Sequence, residues 1–260
     1  MTSMAPTPAE LLRAEVRRDG SRPLLTFYDD ATGERVELST VTFDNWVAKT
    51  AGLLSDGLGA EAGSRVAILL PAHWQALAWA SACWTLGACV VIGADGHAGG
   101  DPGADIVVAG PDTLESATAS GADDVVGVSL RPLGGRFTEP LPPGVLDYAV
   151  EVPSFPDQFV PILPPAPDEP ALHSSGVVHT LSGLLDYAHD RAEQLGARPG
   201  ARLLVPTDDL GAALVDALLV PLVTGGSAVL VRHEDLAGRD ARVATERVTV
   251  IVDPPQSHAL

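Results

Sequence analysis

The stretch LGAEAGSRVAILLP, residues 58–71, returns later in the chain as LGARPGARLLVP, residues 195–206. In both copies a helical pattern precedes the Leu-Gly-Ala turn, and a strand, a helix, a glycine turn and a second strand follow it. This pattern predicts an internal duplication of an α-β-α-β unit. The matched positions keep one constant offset: Leu58, Gly59, Ala60, Gly63 and Arg65 pair with Leu195, Gly196, Ala197, Gly200 and Arg202.

The pattern around the two copies predicts an α/β protein with two related α/β subdomains and parallel-rich sheets. The near-continuous apolar run at 64–71 is typical of a strand covered on both faces. Pro is frequent between 131 and 172, which favours an extended crossing segment. We therefore expect a first subdomain at 1–133, a linker at 134–170 and a second subdomain at 171–260. Other expected elements are helices at 8–20, 42–59 and 73–86, a hairpin around Ala31–Gly33, and strands at 104–110, 123–130 and 247–255.

The composition excludes several classes of protein. A net charge of −18, with Lys49 as the single lysine beside fifteen arginines, argues against nucleic-acid binding. Cys83 and Cys89 do not have zinc-site spacing, so we expect buried, reduced thiols. The uncharged segment 76–94 contains Gly87 and a β-rich end, which favours a buried helix leading into a strand rather than a membrane span. These features predict a cytoplasmic protein.

Three segments resemble the N-terminal part of the adenylate-forming superfamily, which includes acyl-CoA synthetases, luciferases and peptide-synthetase adenylation domains. They are TFDNWVAKTAGLLSDGLGAEAGSRVAILLPAHWQALAWASACWTLGACVV (42–91), GVVHTLSGLLDYAHDRAEQLGARPGARLLV (176–205) and PLVTGGSAVLV (221–231). The combination also resembles a short actinobacterial group related to acyl-CoA synthetases. The resemblance implies the fold of that large lobe, a small acyl or nucleotide ligand, and ATP, AMP or CoA as candidate cofactors.

Within this resemblance, a vestigial phosphate loop is expected at Ser174, Ser175, Gly176, His179 and Thr180. The family's loop reads approximately S/T-S-G-T-T-G-x-P-K-G, and here T-T-G-x-P-K is missing between the serines and the valine pair. A phosphate cradle needs several converging backbone N–H groups and a lysine charge. One glycine without a lysine predicts a turn, with a serine or threonine capping the next helix.

Two further departures from the family concern charge and length. The chain has Thr207-Asp208-Asp209 where the family often has an aromatic residue and a histidine, and two carboxylates would repel a triphosphate. The sequence ends at Leu260, before the family's adenine and magnesium segment, its ribose-binding aspartate and its C-terminal lobe with the catalytic lysine. The residues therefore predict neither a catalytic group nor a metal ligand.

Other constellations have simpler interpretations. A nucleophile at Ser174 or Ser175, with His179 or His189 as base and Asp186 or Asp190 as orienting group, lacks the G-x-S-x-G context. Asp186, His189, Asp190 and Glu193 share a helix face, which is more typical of a solvated face than of a metal site. The glycine-rich segment 93–100 lacks G-x-G-x-x-G. Trp79 and Trp84 are expected in the core, with an exposed, dimer-forming helix 73–86 as the alternative.

Taken with the resemblance, these residues predict a catalytically degenerate homologue that binds a small acyl or nucleotide ligand or acts in regulation. Two alternatives stay open. One is an active acyl-adenylating or acyl-CoA ligase whose incomplete site is completed in trans. The other is a structural homodimer or interaction module.

Overall fold

The computed structural model describes residues 6–93 and 103–253. Strands and helices alternate along the first half of the chain, as the pattern predicts. Its main elements are α1 (Pro8–Asp19), β1 (Pro23–Asp29), β2 (Glu34–Ser39), α2 (Thr40–Gly52), β3 (Arg65–Leu69), α3 (Trp74–Leu86), β4 (Cys89–Ile92), β5 (Ile106–Ala109), α4 (Leu114–Thr118) and β6 (Asp124–Gly127). A π-helical turn, Leu53–Gly57, extends α2.

The proline-rich segment contributes only short elements, after which the alternation returns. The second half contains β7 (Val145–Asp147), α5 (Tyr148–Glu151), β8 (Pro170–Ser174), β9 (Val177–Thr180), α6 (Leu181–Leu195), β10 (Arg202–Pro206), α7 (Leu210–Ala213), α8 (Val220–Thr224), β11 (Ser227–Arg232), α9 (Arg239–Thr245) and β12 (Val250–Ile251). A π-helical segment, Leu214–Leu219, joins α7 to α8.

The strands form two parallel-rich sheets. The five-stranded sheet has the order β12-β10-β11-β1-β2, and the seven-stranded sheet has the order β7-β6-β5-β3-β4-β8-β9. Among the strands of the described residues, only the pairs β1–β2 and β8–β9 are antiparallel. The predicted α/β class with parallel-rich sheets is therefore confirmed.

The two sheets share one hydrophobic core, which the helices fill. Residues of α3 are buried at every position, and this helix contacts β3, β4, α1 and α2. On the other side, the π-helical segment Leu214–Leu219 packs on β10 and β11 and also contacts α3 and α6. Trp79 and Trp84 lie in this core, which excludes an exposed helix 73–86. Cys83 and Cys89 are free, buried thiols, as predicted.

The duplication is visible in the hydrogen bonds of the two turns that lead into β3 and β10. The backbone N–H of Gly63 donates to the carbonyl of Gly87, and that of Gly200 donates to Thr224, both at 2.9 Å. Gly63 and Gly200 both have positive φ, at 88° and 79°. Only glycine adopts such a conformation without steric cost, which explains why both copies keep it.

Strand pairing crosses the expected subdomain boundaries 133/134 and 170/171, and the division into subdomains stays a prediction. The N-terminal hairpin β1–β2 lies in the five-stranded sheet beside β11, whereas β8 and β9 lie in the seven-stranded sheet beside β4. The segment 134–170 also contributes a strand, β7, which pairs with β6. Composition did not reveal that each half of the chain contributes strands to the other half's sheet, because strand pairing between distant residues leaves no local pattern.

None of the helices in the described residues is long and apolar enough to cross a bilayer. The glycine-rich segment 93–100 was weighed above as a dinucleotide loop. From residue 94 onward it lies outside the described residues.

Candidate functional site

The carboxyl ends of the central strands of the two sheets meet at one place. The backbone N–H of Ala72, after β3, donates to the carbonyl of Asp208, after β10, at 3.1 Å. A Cβ atom at Gly211 would lie 3.4 Å from Ile92, the last residue of β4. Ligands of open α/β sheets bind outside the carboxyl ends of strands, where the connections diverge. We call this place the carboxyl-end junction: residues 71–73, 207–209, 29–30 and 232–234.

Strand order puts a divergence point inside this junction. The chain leaves β10 through α7 and α8 to reach β11 on one side, and it leaves β11 through α9 to reach β12 on the other side. The crevice between the ends of β10 and β11 is flanked by Asp208 and by Arg232 and His233. Their side chains are therefore in the position where such folds hold ligands.

The best-defined constellation in the junction is an aspartate–histidine pair. Asp29 Oδ1 and His233 Nδ1 are 2.9 Å apart. Asp29 is 5% exposed, whereas the side chain of His233 is 44% exposed. Because Nδ1 of the imidazole is held by the buried carboxylate, Nε2 is the nitrogen available to a ligand. An imidazole oriented in this way presents Nε2 to a ligand as a hydrogen-bond donor or acceptor.

Backbone geometry and neighbouring charges support this pair. His233 has a φ of 47°, a left-handed conformation that is uncommon outside glycine and enriched in histidine, asparagine and aspartate. Its backbone N–H donates to Asp208 Oδ1 at 3.1 Å. The guanidinium of Arg232 lies 3.6 Å from both Asp29 Oδ2 and Asp208 Oδ1. Arg232 therefore neutralises part of the negative charge that the two carboxylates bring together.

The ionisation of Asp29 follows from these contacts. Burial raises the pKa of its carboxyl group, but the hydrogen bonds from His233 and from the backbone of Ala31, with the charge of Arg232, outweigh burial. The pKa of Asp29 is consequently below its ordinary value, so this residue is an anion at neutral pH.

A second histidine lies behind the pair in the core. His73 is 1% exposed and caps α3, because its Nδ1 accepts a hydrogen bond from the backbone of Gln75 at 3.2 Å. Burial lowers the pKa of His73, although the nearby carboxylate of Glu34 opposes this effect. His73 Nε2 lies 3.9 Å from Glu34 Oε2. The neutral imidazole of His73 therefore caps the N-terminus of α3 and is not accessible to solvent.

The predicted phosphate loop forms the β8–β9 hairpin. Ser174 pairs with Val177, so only Ser175 and Gly176 connect the strands. Their φ values of 51° and 80° are the pattern of a two-residue type I′ turn. Such a connection leaves at most the two N–H groups of the turn residues outside the strand ladder. The predicted turn is present and closes a hairpin, and the predicted cap of the next helix is Thr180.

The other residues of this set are separated from the turn. His179 belongs to β9, opposite Leu172, and its Nε2 atom is buried without a hydrogen bond among the described residues. Thr180 is the N-cap of α6, because its hydroxyl accepts a hydrogen bond from the backbone of Gly183 at 3.1 Å. Whether any of the five residues contacts a ligand stays a prediction.

The chain's single lysine is engaged elsewhere. Lys49 Nζ donates to the carbonyl of Phe155 at 2.7 Å and pairs with Asp157 at 2.8 Å. Neither partner belongs to the hairpin. The ammonium group therefore fixes the proline-rich segment against α2.

The metal site and the serine nucleophile that were considered from the sequence are not formed by the described residues. Asp186, His189, Asp190 and Glu193 are exposed on α6, and no cluster of potential metal ligands occurs among residues 6–93 and 103–253. In the same ranges, neither Ser174 nor Ser175 has a hydrogen bond to a histidine side chain. The neighbouring Arg191 instead binds the buried Asp216 through two hydrogen bonds of 2.9 and 3.0 Å.

Sequence reasoning identified Asp208 and Asp209 but missed the Asp29–His233 pair. The signal was present, since YDD and RHED place charged residues directly after two apolar strands. What could not be inferred was that β1 and β11 are neighbours. The pairing of Asp29 with Arg232 in their register brings the two segments together.

Comparison with known proteins agrees with this architecture. The chain is 40% identical over 258 residues to a "TIGR03089 family protein" of Mycobacterium tuberculosis, covering 97% of this chain and 100% of that protein. The chain belongs to the TIGR03089 family. No model of a known protein family matches the sequence. A mycobacterial relative of this length agrees with the predicted short actinobacterial group.

Solved structures show the same fold as this TIGR03089 family member. An acyl-CoA synthetase from Brucella canis has a TM-score of 0.77 at 19% identity, covering 95% of this chain and 47% of that one. The N-terminal domain of FACL13 from Mycobacterium tuberculosis has a TM-score of 0.73 at 17% identity, covering 94% and 61%. A Mycobacterium tuberculosis fatty acyl CoA synthetase covers 93% and 48% at a TM-score of 0.71 and 17% identity. This TIGR03089 chain thus spans about half to three-fifths of those structures, and its predicted resemblance to their N-terminal part is confirmed.

Proposed function

We propose that this TIGR03089 family member binds a small acyl or nucleotide ligand at the carboxyl-end junction and does not form adenylates. The observation that carries the proposal is the two-residue turn at Ser175 and Gly176. In the resembled superfamily, this position holds a long loop rich in glycine and ending in lysine. A hairpin this short has lost the part that would surround a phosphate group.

The physical reason is the number and charge of groups that can face a triphosphate. Cradling phosphate oxygens requires several converging N–H groups, usually with a cation. The turn supplies at most two N–H groups, and Lys49 is bound to Phe155 and Asp157. In the junction itself, Asp208 and Asp209 are exposed carboxylates that repel polyphosphate.

The junction still has groups that suit a smaller ligand. His233 offers an imidazole Nε2, and Arg232 offers a guanidinium whose Nε is buried without a hydrogen bond among the described residues. One carboxylate or one monophosphate could be met by these two groups. The acyl-CoA synthetase fold supports ligand binding at this edge, because its strands end here in both sheets.

Two measurements test the proposal. We expect no pyrophosphate release from Mg-ATP with a panel of fatty and aromatic acids. We also expect thermal unfolding to shift upward with at least one of AMP, CoA, an acyl-CoA or a free acid. A ligand present at a hundred times its Kd stabilises the native state by about 2.7 kcal/mol.

A matched pair of variants locates the ligand. His233→Asn should reduce the thermal shift at least several-fold, whereas His189→Asn, on the exposed face of α6, should leave it unchanged. Pyrophosphate release above the no-enzyme background would instead support an active ligase. An absent shift with every ligand would reject small-molecule binding.

One observation favours a second candidate, a homodimeric module. Strand β9 is the edge of the seven-stranded sheet, and Val177 and Val178 on it are about half exposed. Exposed edge strands with apolar side chains are templates for pairing with another strand. Sedimentation of the ligand-free protein distinguishes this candidate, because Val178→Lys should dissociate a dimer formed through β9.

A further inference from the structure

A separate cavity of about 190 Å³ lies among three helices, away from the carboxyl-end junction. It is bounded by α1, α2, the end of α3 and the segment 157–160. None of its lining residues belongs to the junction. Among them are Leu12, Arg13, Asp44, Val47, Ala48 and Phe159.

Two opposite charges line this cavity and interact electrostatically, but they form no hydrogen bond or ion pair with each other among the described residues. Asp44 and Arg13 are half-buried, and neither has a hydrogen bond or an ion pair within the described parts of the chain. Neighbouring charges are engaged in ion pairs. Glu15 on α1 binds Arg18 and Arg22, and Asp157 binds Lys49. Burial raises the pKa of Asp44, while the charge of Arg13 opposes that effect.

Most of the other residues that line the cavity are apolar. Leu12 and Val47 are each 2% exposed, and Ala48 is also buried. Phe159, from the proline-rich segment, covers one side. A half-buried charge without a hydrogen bond is unfavourable. A ligand that forms hydrogen bonds with both charged groups therefore binds more tightly than a ligand that bonds to neither.

We propose that this cavity binds a small aliphatic zwitterion, with its ammonium group at Asp44 and its carboxylate at Arg13. The volume limits the size of the ligand. A cavity of roughly 150 Å³ accommodates benzene, so this one takes about eight non-hydrogen atoms. An aliphatic amino acid such as valine matches the size, the two charges and the apolar walls.

Calorimetric titration of the full chain with three probes tests this assignment. The probes are valine, isobutylamine, which lacks the carboxylate, and 3-methylbutanoate, which lacks the ammonium group. Valine should bind, and each single-charge probe should bind about 10- to 100-fold more weakly, as expected for the loss of a charged hydrogen bond. Absence of valine binding would overturn the proposal, and so would equal affinity for either single-charge probe.

Paired variants assign the two ends of the ligand. Asp44→Asn should weaken valine binding about 10- to 100-fold and leave 3-methylbutanoate unaffected, and Arg13→Gln should do the same with isobutylamine as the unaffected probe. The matched controls are Asp56→Asn and Arg17→Gln, at exposed residues nearby. Circular dichroism verifies that each variant is folded. Equal losses in the controls, or unchanged valine affinity in both cavity variants, would contradict the assignment.

Discussion

The two copies of the duplicated unit share a backbone frame but differ in what their side chains do. In both copies the first residue of the second strand donates to the residue before the first strand: Cys89 donates to Ser64 at 2.8 Å, and Ser227 donates to Ala201 at 2.9 Å. The residues after the two strands differ. Behind β3, His73 is buried and caps a core helix, whereas behind β10, Asp209 caps its helix while exposed.

The helices of the two copies also differ, because the first buries an aromatic residue where the second buries a charged one. The offset that relates Leu58 to Leu195 also relates Trp79 to Asp216, although the strands that follow, at Cys89 and Ser227, are one residue further apart. Trp79 is a fully buried aromatic residue in a regular helix. Asp216 is a buried carboxylate bound to Arg191, in a helix interrupted by a π-helical segment and followed by Pro221.

This contrast indicates how the frame divides its roles. The first copy supplies apolar volume to the centre of the molecule, and the second copy brings Asp208, Arg232 and His233 to the junction, where Arg232 and His233 meet Asp29 of β1. Pro221 has no N–H to donate, and a wider π turn before it reduces the conflict with a regular helix. π-Helical turns are frequent near functional sites, which agrees with the position of this helix beside the junction.

The largest expected effect on stability comes from a substitution in the core of the first copy. Trp79→Ala should lower the free energy of unfolding by about 3–5 kcal/mol, because it removes a fully buried indole from the core. Urea unfolding measures the change. Trp79→Phe should lose much less, since it keeps a ring and removes an indole N–H that has no hydrogen bond among the described residues. If Trp79→Ala destabilised the protein no more than Trp79→Phe, removal of the ring itself would cost nothing, and the core would tolerate a cavity here.

The corresponding change in the second copy is smaller. Arg191→Gln should cost about 2–3 kcal/mol, because Asp216 stays buried without its ionic partner. The exposed Arg198→Gln is the control and should change stability by less than about 0.5 kcal/mol. If Arg191→Gln and Arg198→Gln change the free energy of unfolding equally, the Arg191–Asp216 ion pair does not contribute to stability. The two copies would then differ only in the apolar volume that they bury.

The shared frame gives the next prediction. Gly63→Ala and Gly200→Ala should each cost about 1–2 kcal/mol, because both positions require a left-handed backbone. An added Cβ would contact nothing within 4 Å at either site, so the backbone alone determines the cost. Denaturant midpoints of the two variants should therefore agree closely. A clear inequality would show that the two turns are not equivalent.

The smallest effect concerns Asp44 in α2, whose equivalent at the start of α6 is the buried Leu181. The pKa of Asp44 is raised in the folded state, so its ionisation disfavours folding as pH rises through that pKa. Asp44→Asn should stabilise the protein at pH 7 by no more than about 0.5 kcal/mol. This gain should shrink as pH falls towards 4, and unfolding at both pH values measures it. A gain that is the same at both pH values would contradict the assignment.

The sequence predicted the elements of both copies, because apolar runs and glycine turns are local signals. It did not predict which sheet each strand joins. The hairpin β1–β2 and the strands β8 and β9 pair with partners far along the chain. The β8–β9 hairpin was also missed, since the stretch Pro170–Thr180 follows a proline-rich segment and has a weak alternating pattern.

The candidate site was predicted only in part, for the same reason. Asp208 and Asp209 follow a recognisable strand, so their place at the carboxyl end could be inferred. The Asp29–His233 pair depends on a contact between residues near opposite ends of the chain. The cavity charges Arg13 and Asp44 are ordinary surface residues by pattern. Only the packing of α1 on α2 brings both to one cavity.

The position of the N-terminal hairpin has a consequence for biosynthesis. Phe27 of β1 pairs with Leu230 of β11, so the ribosome must translate about 200 further residues before this hairpin finds its neighbour. At ordinary translation speeds the interval is about 10–40 s. During that time the edge of β1 that will face β11 is unpaired, and expressing the two halves as separate fragments would leave each with an unfinished sheet.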